Sequence, residues 1–232
     1  MRTKHTQKPM FATRMAMGIG SLFLFAAILS LPLQGHCSTS VSDLMLHKHR
    51  METGNGLEEF LGIYQLPNKI AFISFTLDGD SLLATQLWDN KKYRLSQIDE
   101  VTFETKEDGQ QVVFQKDSFG MYNKATLLGR IATVKVAFDP RVVQQLTIEQ
   151  LKKYQGTYVL QDDGQFEIEI RSSATGLILK QLWDNKEIHF SARSETFFLS
   201  KDHSFPLTFL LKGTQAIQVT CFADDIWKKV SQ

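Results

Sequence analysis

The chain has 232 residues, 43% of them hydrophobic and 11% aromatic, enough to bury one large core or two small ones, which excludes whole-chain disorder and a coiled coil. Its net charge is +1, yet residues 1–37 hold Arg2, Lys4, Lys8 and Arg14 and no acid, leaving 22 basic and 25 acidic residues downstream. That near-neutral remainder lacks the concentrated basic surface on which nucleic-acid binding draws, and two cysteines, Cys37 and Cys221, cannot build a disulfide framework or a four-thiolate zinc site.

The basic stretch ending at Arg14 leads into an uncharged run from Ala16 to Leu33, with its apolar centre at Leu22 to Leu31. This is the pattern of an export signal over residues 1–37. Gly35 and Cys37 supply the small residues of a signal-peptidase site with cleavage after Cys37, and Ser38 or Ser40 serve nearly as well. A lipoprotein acylated at Cys37 is a weaker alternative, because Gly35-His36 fits a lipobox poorly. An uncleaved membrane anchor is a third, of marginal length. All three place the rest of the chain outside the cytoplasm, periplasmic or secreted, after a linker over residues 38–56. With Cys37 removed, Cys221 is the lone cysteine of an oxidising compartment, where burial protects it.

Downstream the chain repeats itself. Leu57-Glu-Glu-Phe-Leu-Gly62-Ile-Tyr64 returns as Leu151-Lys-Lys-Tyr-Gln-Gly156-Thr-Tyr158 at an offset of 94. Gln86-Leu-Trp88-Asp89-Asn90-Lys91 returns unchanged as Gln181-Leu-Trp183-Asp184-Asn185-Lys186 at an offset of 95. The same register runs on through Ser96/Ser191, Glu100/Glu195, Phe103/Phe198 and Phe114/Phe209. The chain is therefore two modules, residues 57–138 and 148–232, joined by a connector over residues 139–147 that opens on Asp139-Pro140. From Phe114 to Phe138 the first copy takes 24 steps where the second takes 13 from Phe209 to Phe222. An extra loop or hairpin is therefore expected around Lys116 to Arg130.

In chain order each module opens on a short helix. Leu57 to Leu61 is the first, stopped by Gly62; Ile148 to Gln155 is the second, entered by the capping box Thr147-Ile-Glu-Gln150 and stopped by a left-handed Gly156. The remainder has an apolar period of two. Ala71, Ile73, Phe75 and Leu77 share one face, and Phe166, Ile168 and Ile170 alternate with Glu167, Glu169 and Arg171. Turn signals fall at short spacing, at Asp78-Gly79-Asp80, Asp89-Asn90, Asp108-Gly109, Asp162-Asp163-Gly164 and Lys212-Gly213. An antiparallel meander this short is most stable as a closed barrel or a tight sandwich. The fold class is all-β, two tandem small antiparallel barrels each preceded by a short helix.

The pattern Leu-x-x-Tyr-x-Gly-x-Tyr, alternating strands, then Ser-x-x-x-Glu-x-x-Phe and a strand ending in Phe resembles the lipocalin-like domain C-terminal to many serine hydrolases related to penicillin-binding proteins and class C β-lactamases. Here it is Leu151, Tyr154, Gly156, Tyr158, Ser191, Glu195, Phe198 and Phe209, and in the first copy Leu57, Phe60, Gly62, Tyr64, Ser96, Glu100, Phe103 and Phe114. The resemblance implies an accessory barrel that packs near a catalytic domain. That domain's signatures are missing, since neither Ser-x-x-Lys nor Gly-x-Ser-x-Gly occurs in the chain.

Residues with chemical potential are few. His47-Lys48-His49 offers two metal ligands where a site needs three or four, and His189 and His203 stand alone. Asp162-Asp163 and Asp224-Asp225 are adjacent turn acids, unable to flank a glycosidic bond from opposite sides. Cys221 lies in the apolar phase of Ile217-x-Val219-x-Cys221, a position for a buried, inert thiol. The repeated hexapeptide is the strongest candidate site. Leu82, Gln86 and Trp88 share a face, as do Leu177, Gln181 and Trp183, and Lys180 on the opposite face makes the Gln and Trp side the inward one. Gln86, Trp88, Asp89, Asn90 and Gln181, Trp183, Asp184, Asn185 then read either as a barrel-mouth binding site or as a tight Asp-Asn turn with the tryptophan plugging the barrel end.

These features describe an exported, non-catalytic binding or accessory protein with no cofactor and no metal. Recognition of a protein partner in the cell envelope, such as a serine hydrolase in trans, is favoured over carriage of a small apolar or amphipathic ligand. Phe72, Phe75, Phe103, Phe166, Phe198 and Phe209 are expected to fill the barrel interiors and leave little cavity. An enzyme associated with such hydrolases is the third reading.

Overall fold

Two closed antiparallel barrels of eight strands follow one another along the chain, each an unbroken meander sealed by pairing of its first and last strands. The computed structural model describes residues 56–230; the export signal, Cys37 and the pair His47 and His49 lie outside the described residues. Among the described residues no helix is long and apolar enough to cross a membrane.

The first barrel comprises β1 (Gly62–Gln65), β2 (Phe72–Asp78), β3 (Ser81–Gln86), β4 (Lys92–Gln97), β5 (Thr102–Thr105), β6 (Gln111–Lys116), β7 (Tyr122–Leu127) and β8 (Ile131–Val136). The second comprises β9 (Gly156–Leu160), β10 (Glu167–Ser173), β11 (Gly176–Gln181), β12 (Glu187–Ala192), β13 (Phe197–Ser200), β14 (Pro206–Lys212), β15 (Gln215–Cys221) and β16 (Asp225–Lys229). The short helices lie at the end where the chain enters β1 and β9, the helix end. The loops after β3 and β11 lie at the opposite, far end.

Alternation sorts side chains between core and surface as expected for half-buried strands. Along β3, Leu82, Ala84 and Gln86 are buried; along β11, Leu177, Leu179 and Gln181 are. The interior of the first barrel is aromatic. Phe60, from the opening helical turn, packs on Phe103, Phe114 and Tyr122 at centroid distances of 5.1, 4.6 and 4.5 Å, and Phe75 meets Phe114 at 5.0 Å. In the second barrel Tyr154 takes the place of Phe60, 5.1 Å from Phe198 and 4.7 Å from Phe209, and its hydroxyl donates to the Glu195 carbonyl.

The opening helices are shorter and tighter than expected. Leu57–Phe60 is a 3₁₀ turn, and α1 (Ile148–Leu151) passes into a 3₁₀ turn at Lys152–Tyr154. The capping box is as read: Thr147 Oγ1 accepts from Gln150 N at 3.2 Å, and Gln150 Oε1 accepts from Thr147 N at 2.8 Å. Neither glycine is a left-handed stop. Gly62 and Gly156 are the first residues of β1 and β9 at φ 135° and 138°, a torsion for glycine alone, and a Cβ there would lie 2.6 Å from Lys135 Cε and 2.7 Å from Lys229 Cε.

Further expectations are corrected. No hairpin is added between Lys116 and Arg130, because that stretch is the end of β6, β7 and their turns, with β15 as counterpart in the second barrel. Phe222 corresponds to Leu128, both at left-handed φ near a strand turn, so Phe138 has a different role. Ile217 is outside the inward phase of Val219 and Cys221. The β14–β15 register passes from Leu211↔Ala216 to Leu210↔Gln218, leaving Ile217 as a bulge residue turned to solvent while Ala216 is buried. Finally, Phe72 points out of its barrel, and Phe166 lies before β10 against Trp183 rather than inside.

Phe72 is nonetheless 3% exposed, because the second barrel covers it. Phe197 and Leu199, outward on β13, pack with Phe72 and Phe138 in a separate apolar cluster, joined by Ile63, Ile70, Leu87 and Val136. Phe138 stacks on Phe197 at 5.1 Å, and Phe72 meets both rings edge-on at about 6 Å. The connector adds a bond from Gln144 N to the Ala192 carbonyl, 2.9 Å long.

Candidate functional site

The hexapeptide forms the same loop twice. β3 ends at Gln86, earlier than the expected strand through Trp88, and five residues link it to β4. Gln86 N donates to Lys91 O and Asn90 N to Gln86 O, both at 2.9 Å. Asn90 is left-handed at φ 59°, and the Asp89 carboxylate accepts from Lys91 N at 3.1 Å. In the second copy Gln181 N donates to Lys186 O, Asn185 has φ 60°, and Asp184 accepts from Lys186 N at 3.0 Å. Aspartate and asparagine are the residues that tolerate such a loop, so geometry accounts for their repetition. It is a five-residue loop, and the tight Asp-Asn turn expected from sequence is not formed.

The glutamines face inward as expected. Gln86 is 8% exposed and Gln181 3%. With both ends of its amide satisfied, the Gln181 nitrogen lies 3.2 Å from each Asp184 carboxylate oxygen. This ties core to loop and satisfies a buried polar group.

The two tryptophans differ. Trp183 is half-buried, stacked on Trp227 at 6.2 Å and met edge-on by Phe166 at 5.5 Å. Trp88 is 42% exposed. The repeat explains why: Phe166 and Trp227 have Ala71 and Thr133 as counterparts, so the first copy lacks both rings that hold the second tryptophan down. Trp183 plugs the far end of its barrel, and Trp88 stands at the rim of its own.

No protein-family model matches the chain, and no curated protein matches it.

The helix ends carry residues that sequence reasoning missed. Lys135 pairs in register with Tyr64, and Lys229 with Tyr158. Both lysines run over the glycine that opens the partner strand, with the ammonium 5.8 and 5.9 Å from the tyrosine ring centroid. Burial lowers the pKa of both lysines and pushes the Tyr64 and Tyr158 hydroxyls far above the usual tyrosine range. Lys135 Nζ is 3.5 Å from the Glu59 carbonyl, whereas Lys229 makes no hydrogen bond or ion pair with any described residue. The signal was present, since Lys-Val recurs at 135–136 and 229–230 at the offset of the Gly-x-Tyr motif.

A groove of about 740 Å³ lies beside Lys229, between the second opening helix, β10 and the bulged start of β15. A smaller groove on the first barrel, beside Gly62 and Phe75, measures about 360 Å³ and is not lined by Lys135.

Elsewhere the chemistry is sparse. Among the described residues no three His, Cys, Asp or Glu side chains gather closely enough to hold a metal ion. Asp163 caps its own turn by accepting from Gln165 N at 3.1 Å. Cys221 is fully buried, and burial, followed by the charge of Asp225, holds its thiol well above its ordinary value. Arg193 is 5% exposed, bonded at 3.0 Å to Ser191 Oγ and at 3.0 Å to His203 Nε2.

Proposed function

We propose that the chain is an exported, non-catalytic binding protein that recognises a protein partner in the cell envelope, with the exposed face of Trp88 as its contact. The observation that supports this reading is the contrast between two identical hexapeptides. One loop packs its half-buried tryptophan against Trp227 and Phe166, and the other, on the same fixed frame, presents it to solvent beyond a well-packed core. A rigid aromatic ring on a preorganised loop is the kind of residue that anchors a protein interface. Aromatic rings fill both barrel interiors, which speaks against carriage of an apolar ligand inside them. The export pattern of residues 1–37 and the resemblance to an accessory domain of serine hydrolases direct the first search to envelope enzymes of that class.

The test is a pull-down from envelope extracts with the mature chain, scored by mass spectrometry, in parallel with thermal melts. The parent should recover a serine hydrolase related to penicillin-binding proteins. Trp88→Ala should lose it while melting as the parent does, and Trp183→Ala should lose stability first. Recovery unchanged by Trp88→Ala, or no hydrolase recovered by the parent, would overturn the proposal.

A further inference from the structure

We propose that the groove at the helix end of the second barrel binds a monoanionic amphiphile, a carboxylate with a short apolar chain, its head on Lys229 and its chain along Ala216, Ile217 and Val230. This site is separate from Trp88, at the other end of the other barrel, and does not depend on the partner reading.

The head group follows from the charge inventory of the groove. Three cations line it, Lys152, Arg171 and Lys229. Lys152 is paired with Glu149 at 2.6 Å, and Arg171 with Glu187 and, at 3.8 Å, with Glu169. Lys229 has no such partner among the described residues, although it follows the inward phase of Trp227 along β16 and is partly removed from water. A desolvated ammonium without a counter-ion is costly, and an incoming carboxylate would offset that cost directly. Its stem is held in place, because it crosses Gly156 where a Cβ would stand 2.7 Å from Cε. Glu169 at the same groove adds one negative charge, which selects against dianions such as phosphate monoesters.

The chain-binding part follows from the bulge. Buried Ile170 and Ala216 form an apolar floor, while Ile217 and Val230 are 41% and 45% exposed. The bulge turns Ile217 outward and sets its side chain on the wall of the groove beside Lys229. The first barrel has the same register shift, at Gln115/Lys116, but its bulge residue is the polar Asn123, which donates to Asp117 at 2.7 Å. The first barrel thus repeats the lysine, glycine, tyrosine and bulge without the apolar side chain at the bulge, and its lysine has the Glu59 carbonyl as acceptor. It serves as an internal control.

The experiment is calorimetric titration of the mature chain with octanoate, octanol and octylammonium near neutral pH. Octanoate should bind with one-to-one stoichiometry, and the other two should bind at least about tenfold more weakly, because only octanoate supplies the anion. Lys229→Met, which keeps the stem, should weaken octanoate at least about tenfold, and Lys135→Met should leave it unchanged. Ile217→Glu, at an exposed position that the fold tolerates, should weaken it as much and keeps the test intact if Lys229→Met misfolds. No binding of octanoate, equal binding of octanol, equal loss in Lys135→Met, or unchanged affinity in Ile217→Glu would each overturn the proposal.

Discussion

Replacing Phe60 with alanine tests whether the first barrel is a packed core or a vessel. Phe60 is 3% exposed, and three aromatic rings lie within 5.1 Å of its own. Truncating a buried phenylalanine costs about 3–5 kcal/mol, the lost transfer energy plus the cavity left behind. The upper half of that range is expected, because strands hydrogen-bonded in a closed ring cannot collapse into the void. With the two barrels coupled through their apolar contact, each kcal/mol shifts the melting temperature by about 2–4 °C, so the variant should melt about 8–20 °C below the parent. Phe60→Leu, which keeps most of the volume, should cost less than about 1.5 kcal/mol. Urea denaturation followed by circular dichroism gives both values. A loss under about 1 kcal/mol for Phe60→Ala would mean that the ring merely lids an empty barrel, and interior ligand carriage would regain its place.

Four other outcomes follow from the same packing. Trp88→Ala should cost less than about 1 kcal/mol and Trp227→Ala about 3–5 kcal/mol, with Trp183→Ala between them; equal losses for Trp88 and Trp183 would contradict their different surroundings. Gly156→Ala should cost about 1–3 kcal/mol, and adding Lys229→Ala should restore little, because the lysine end can move while the φ of 138° cannot; full rescue in thermal melts would assign the cost to the clash. A thiol reagent should label Cys221 slowly in the native chain and fast in urea, and rapid native labelling would exclude the inert, buried thiol. Stability should fall as pH rises above about 9: Tyr64, Tyr154, Tyr158 and Cys221 keep protons in the folded state that the unfolded chain releases near pH ~8.5 to ~10, so unfolding releases protons. Lys135 and Lys229, with lowered values, act in the opposite direction, and a urea midpoint that rises with pH would show that they dominate.

The barrel was legible because its physics is local. Alternation along β3 and β11 fixed the inward glutamines, and the capping box fixed the start of α1. The hexapeptide loop was harder, since whether Trp88 extends a strand or starts a turn depends on the left-handed Asn90, a torsion that residue type permits without requiring. Phe72 shows a different limit. A period of two separates the faces of a strand but does not tell solvent from a second barrel, so an outward phenylalanine reads as an inward one. The unlike exposure of Trp88 and Trp183 was encoded at Ala71/Phe166 and Thr133/Trp227, pairs that come together only after the strands are in register. Lys229 was hidden for a related reason, since a lysine is assigned outside by default until its tyrosine and glycine neighbours are known.

The contact between barrels joins unlike surfaces, the β2 side of the first to the β13 side of the second, and an interface of that type has no reason to stop at two. A further copy could add its β13 side to the β2 side of the second barrel, and growth would continue as a filament. The outer positions prevent it. Where the first copy presents Phe72, Ile63 and Ile70, the second has Glu167, Thr157 and Gln165; where the second presents Phe197 and Leu199, the first has Thr102 and Glu104. Each free end of the pair is polar at the positions where the internal junction is apolar, so the two copies form a closed pair because they differ at these five positions.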